Sequence, residues 1–179
     1  MPQNAPDRIP FGLADITIGS TTTFSGAANL QADGGELSIK PILEEVTIAD
    51  FGKTIYDYRV VGYEVELKIV IAETDAQVVL DSFSYMSKLG TTNIGYTDES
   101  VGKSLRAKAQ QVVIHPRQYA AAVKDDDVTI FKAVGVGDYV VPYKNEQGKV
   151  EVSLKALVKD NADPSKVGNI FYVGATAPA

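Results

Sequence analysis

Between residues 62 and 86 the spacing of apolar positions changes. Val65, Leu67, Ile69 and Ile71 alternate with Glu64, Glu66, Lys68 and Val70, the period of two that marks a strand with one buried and one wet face. At Thr74 the rule becomes helical. Thr74 and Gln77 match a capping box, and Ala76, Val79, Leu80, Phe83 and Met86 follow at i, i+3, i+4 spacing before Gly90. A half-buried strand is therefore expected to run into a single amphipathic helix that closes near Gly90.

The strand has a partner upstream. The segment 36–48, ELSIKPILEEVTI, alternates Leu37, Ile39, Pro41 and Leu43 until adjacent Glu44 and Glu45 break the phase, and both the proline and the break indicate an edge strand or a bulge. ADFGKT (49–54) has the Asp and Gly of a turn, and the strand after it, 55–72, greatly exceeds the usual five or six residues. The two form a long hairpin. A hairpin so long and wet on one face either bends around something or leaves its own domain to pair with another chain. Because Val65, Leu67, Ile69 and Ile71 share the buried face, Glu64, Glu66 and Lys68 are forced onto the other, where the paired strand adds Glu36, Lys40 and Glu44.

The rest of the chain is β-like. Residues 14–19 read as a strand, 90–104 as a polar, Gly-rich loop, and 105–116, 127–134, 138–144, 149–160 and 170–174 as short strands, with NEQG turning 138–160 into a hairpin. With one helix among so many strands, the expected fold is mainly β: a β-barrel or sandwich with one flanking α-helix and a long β-hairpin. Pro2, Pro6 and Pro10 make 1–12 an extended N-terminal arm, 13–174 is the β domain, and 175–179 is a short tail.

Composition narrows the functional classes. With 179 residues, 45% hydrophobic and 22% charged, the chain suits one globular domain. It has no cysteine, which removes disulfides and thiolate metal sites and favours synthesis in a reducing compartment. The first residues lack the basic and apolar regions of an export signal, and no apolar run has the length to span a membrane. A net charge of −6 argues against a groove that grips phosphates.

Candidate chemistry is sparse. The single histidine, His115, has no G-x-S-x-G elbow to serve and reads as structural. VGKS (101–104) lacks the earlier P-loop glycine, since Thr97 stands there, and a strand-like pattern follows it. Asp125, Asp126 and Asp127 have no EF-hand spacing and read as a solvated turn. Glu64 and Glu66 have no pocket assigned to them. The expectation is a protein that is not an enzyme and takes no cofactor or metal.

The order of parts resembles a known family, the tail tube (major tail) proteins of long-tailed bacteriophages. The resemblance is carried by GELSIKPILEEVTIADFGKTIYDYRVVGYEVELKIVIAETDAQVVL, then VVIHPRQ, DDDVTIFKAV and VEVSLKALVKD, in that order across most of residues 14–174. It implies a subunit that assembles with itself into hexameric rings stacked as a hollow tube in the virion tail, after synthesis in the host cytoplasm. Its implied partners are further copies of itself, a tape measure protein and tail terminator or initiator proteins, with DNA passing through the lumen without specific binding and no membrane involved. On that reading each hairpin packs its apolar face on its own protomer and turns its charged face to the bore, so Glu36, Lys40, Glu44, Glu64, Glu66 and Lys68 are the channel-lining candidates. The alternative is a capsid decoration protein or a tail-associated carbohydrate-binding β-domain, for which exposed aromatics clustered in loops would speak. Of the tyrosines considered, only Tyr96 falls in the long loop, while Tyr56, Tyr58 and Tyr63 lie in strands. The tube of a contractile or secretion-type machine shares the same architecture.

Overall fold

The computed structural model describes residues 12–178, so the expected extended arm lies outside the described residues apart from Gly12. Ten strands and one helix follow in the order β1 (Ala14–Ile18), β2 (Thr22–Phe24), β3 (Gln31–Thr47), β4 (Ile55–Ile71), α1 (Ala76–Ser82), β5 (Met86–Leu89), β6 (Gly95–Asp98), β7 (Gln110–Pro116), β8 (Val128–Gly135), β9 (Val150–Leu157) and β10 (Phe171–Val173). The protein is mainly β. Eight strands form one antiparallel sheet, in the order β2-β1-β7-β8-β9-β4-β3 with β10 added on β8, and β5 and β6 form a separate pair.

Strands from both ends of that order share one core. Ile16 and Phe24 from β1 and β2 cluster with Leu67 and Ile71 of β4, with Val112, Ile130 and Leu154 from the strands between, and with Val79 and Phe83 from the helical side. The sheet must curve for this to happen, and the Ile16 side chain accordingly lies over Gly35 of β3. Burying each such aliphatic side chain contributes about 1.5–3 kcal/mol. The alternation read from the sequence is borne out here, because Val65, Leu67, Ile69 and Ile71 are 0–4% exposed.

The helix is shorter than its apolar spacing implies. It covers seven residues, and its cap is Asp75 rather than Thr74, the Asp75 carboxylate accepting from the Gln77 N–H at 2.8 Å. At Phe83 the backbone turns extended (φ −124°, ψ 92°). Ser84 then bonds to β8 in both directions, its N–H donating to the Gly135 carbonyl at 3.1 Å and its Oγ accepting from the Gly135 N–H at 2.9 Å. Position 135 must be glycine, since a Cβ there would collide with the Ser82 carbonyl. Ser82 and Ser84 compete with helical backbone bonds, and the aromatics between and after them favour extended chain. Met86 thus opens β5, and Gly90 (φ +74°) turns the β5–β6 hairpin instead of capping a helix. The expected polar loop 90–104 therefore contains a strand, pinned by Glu99, which accepts from Lys108 and Ser87. The Lys108 ammonium, the Ser100 N–H and the Ser87 hydroxyl hold its carboxyl down to about 2.

Three further expectations need correction. Residues 138–144 form no strand and no hairpin with β9, which pairs with β4 over Val150–Lys155 and with β8 over Leu154–Leu157, and Pro142 has no N–H to donate. Tyr139 instead packs on Phe83 and hydrogen-bonds the Tyr96 hydroxyl at 2.8 Å. Residues 105–108 form a 3-10 turn capped by the Ser104 hydroxyl, so β7 begins only at Gln110 and a short helical turn does follow VGKS. Asp127 does not belong to a solvated turn. It is buried, with one carboxylate oxygen 2.5 Å from His115 Nδ1 and the other 3.1 Å from Lys124 Nζ. His115 Nε2 faces the Tyr119 carbonyl at 3.4 Å, so the pair ties the β7–β8 connection to the sheet.

Candidate functional site: the β3–β4 arm

β3 and β4 are 17 residues each and pair from Gln31↔Ile71 to Thr47↔Ile55. The turn between them is a 3-10 turn, Ala49–Phe51, ended by Gly52 at φ +65°. Pro41 lies on β3, which is the last strand in the sheet order, and the register shifts between Ile42 and Leu43, leaving Val61 of β4 without an opposite number. The edge read from Pro41 and the phase break is borne out, whereas the bulge lies on the partner strand, with Val61 of β4 as the extra residue, and β3 keeps its alternation through Glu44.

What makes the hairpin an arm is how little of it the body supports. β9 pairs with β4 only from Glu66 to Ile71. Among the described residues nothing pairs with the other edge of β4 from Ile55 to Val65, or with the outer edge of β3. No residue from Gly35 to Thr47 on β3, or from Ile55 to Glu64 on β4, is buried. An exposed strand edge is a template for pairing with another chain, and this arm presents two.

The six candidate residues fall as the alternation requires. Glu36 stands opposite Lys68, Lys40 opposite Glu64, and Ser38 opposite Glu66, while Glu44 faces Arg59, which sequence reasoning missed. Opposite residues of an antiparallel pair share a face, so all six project from one side, away from the core. β9 continues that face with Glu151, Ser153 and Lys155. The Ser153 hydroxyl donates to Glu66 at 2.6 Å, and this bond, reinforced by Lys68 and Lys155, lowers the Glu66 pKa against a desolvation cost. Glu66 is half-buried, and the other five are exposed. The face is thus a ladder of crossed charge pairs in which carboxylates outnumber cations.

The opposite face changes character along the arm. Near the body Val65 and Leu67 are buried, but farther out Ile39, Leu43, Tyr58, Val60 and Tyr63 on the same face are exposed. The expectation that the whole apolar face packs on its own protomer is corrected: only the root does so. The Tyr63 ring still meets Phe171 edge-on at 6.2 Å, but at Val60 and Val61 the arm stands off the body across an open cleft and the apolar side chains are exposed. The run of Tyr56, Tyr58, Val60, Val61 and Tyr63 carried the signal, but alternation cannot say whether an apolar face has anything to cover it. Tyr96, considered as a loop aromatic, is half-buried in β6 against Tyr139.

No protein-family model matches the sequence, and no curated protein matches it.

Proposed function

We propose that this chain is a structural subunit of a phage tail tube, a barrel- or sandwich-like β body that assembles with copies of itself through the β3–β4 arm. The observation that carries the reading is the arm itself: two 17-residue strands whose outer part has, among the described residues, two unpaired edges, one charged face and one apolar face with no cover. Pairing arms side by side would satisfy the edges, and a neighbour's body would cover the apolar face. Contacts between two different surfaces repeat head to tail, closing into a ring when the rotation closes and continuing as a filament otherwise. The hexameric ring, the virion tail, and the tape measure, terminator and initiator partners rest on the sequence resemblance alone.

On this reading Glu36, Lys40, Glu44, Glu64, Glu66 and Lys68 line the bore. Their cross-strand pairing makes the wall mildly rather than strongly acidic. Such a wall offers little net positive charge for a duplex to bind through counterion release. For the alternative, a decoration or carbohydrate-binding domain, Tyr96 packs half-buried against Tyr139, while Tyr143 is an exposed aromatic in the segment before β9.

The test is concentration-dependent assembly. Sedimentation velocity and negative-stain microscopy should show small species at low concentration and hollow tubes of constant width at high concentration. A chain that stays monomeric up to millimolar concentration, alone and with isolated tail tips as seeds, would contradict the proposal.

A further inference from the structure

At the far end of the arm, Phe51 in the turn and Tyr56 at the start of β4 stack with ring centroids 6.2 Å apart and are 61% and 64% exposed. Two stacked aromatic rings in open water form an apolar knob, and aromatic side chains bury about 150–250 Å² each when they find a partner. At the root of the arm, where β4 parts from β9, a cleft of ≈ 530 Å³ opens between Val60 and Val61 on one side and Val158, Val167, Ile170 and Phe171 on the other. Val167 on its rim is 82% exposed. The cleft has the size and the apolar lining to accept the knob.

One charge contact is available to that fit. Lys166 is the one charged residue among those lining the cleft, and of the two charged residues in the turn, Asp50 and Lys53, Asp50 adjoins Phe51. Neither ring of the knob lines the cleft of its own chain, since Tyr56 and Val60, the nearest pair along β4, are four residues and at about 3.3 Å per residue roughly 13 Å apart. A knob that fills the cleft then comes from another molecule of this protein.

We infer that the tip of the arm, Phe51 and Tyr56 flanked by Asp50, seats in the root cleft of a second copy of this chain. The contact joins two different surfaces, so it repeats head to tail without saturating. It is far smaller than the ~1,600 Å² of a stable two-protein interface and is therefore weak for a single pair, gaining strength where several copies present knobs together. Within the tube reading, on which this use rests, it is the axial contact between one ring and the next.

Absence of cysteine from the chain gives a direct test. Phe51→Cys protein is mixed at high concentration with Val167→Cys protein and oxidised, and the mixed disulfide dimer is measured against a control mixture in which Ala28→Cys, exposed on the body, replaces Val167→Cys. The expected result is mixed dimer well in excess of the control, abolished by Lys166→Asp in the cleft partner and restored when that partner meets Asp50→Lys in the tip partner. Yield equal to the control, or indifference to both charge reversals, overturns the inference. Tubes without the crosslink would leave the tube reading standing and remove this contact, whereas the crosslink without tubes under any condition would do the reverse.

Discussion

Asp81 shows what a single buried residue contributes. Its carboxylate accepts hydrogen bonds from Thr21 at 2.8 Å, Thr22 at 2.6 Å, and Gln77 and Gln110 at 3.1 Å each, fastening α1 to the β1–β2 turn and to β7. Burial alone would raise its pKa, but the four bonds together outweigh burial and lower it. A lowered folded-state value means that the charged form is stabilised by folding. That contribution is complete above the ordinary aspartate value of about 3.9 and is lost as the pH falls through the folded-state value. Asp81→Ala should cost about 1–3 kcal/mol at pH 7 by leaving donors unpaired. Asp81→Asn should be destabilised at pH 7, and its gap in melting temperature to the native protein should narrow as the pH is lowered below about 3.9, as thermal melts at pH 7 and at the lowest pH the fold tolerates would show. An equal gap at both would contradict the assignment. Little of this was legible beforehand: only Gln77 lies within the helix, four positions away, while Gln110, Thr22 and Thr21 lie 29, 59 and 60 positions away.

At the scale of elements, what the sequence conveyed well was alternation. The period-two run of β4 located both the buried aliphatics and the six charged positions of the arm, because a strand face is fixed by local geometry. It failed where a segment's neighbours decide. Residues 138–144 have strand composition, yet Tyr139 packs on Phe83 and bonds to Tyr96 instead of joining β9, and Phe83 and Met86 keep helical spacing although the chain turns extended to bond with Gly135. The arm's register yields a prediction that alternation alone could not refine. Glu64 stands opposite Lys40, so Glu64→Lys places like charges face to face and should cost about 0.2–1 kcal/mol, while Glu64→Gln should stay within about ±0.5 kcal/mol. Urea unfolding midpoints would separate them, and the gap should shrink in high salt. If both variants unfold together, the cross-strand pairing has no energetic weight.

At the scale of the molecule, the body is a closed account and the arm is not. The body brings strands from both ends of its sheet and one helix to a single core, whereas the arm leaves Ile39, Leu43, Tyr58 and Val60 in water. Assembly would bury them, each aliphatic worth about 1.5–3 kcal/mol when fully covered. Hydrogen exchange should therefore find the β3 and β4 amides of the outer arm poorly protected in dilute protein and strongly protected in assembled material, while β4 from Leu67 to Ile71 is protected in both. Equal protection of the outer arm in the two states would mean that it joins no neighbour.

The central claim is that copies of this chain build a tube through the arm, with its charged face turned inward. The measurement that tests it most directly is a helical reconstruction of the assembled protein at side-chain resolution. The account predicts a hollow tube in which Glu36, Lys40, Glu44, Glu64, Glu66 and Lys68 face the bore and Ile39, Leu43, Tyr58 and Val60 lie against a neighbouring copy. A tube with those six residues on its outer surface, or an assembly in which the arm remains uncovered, would contradict it.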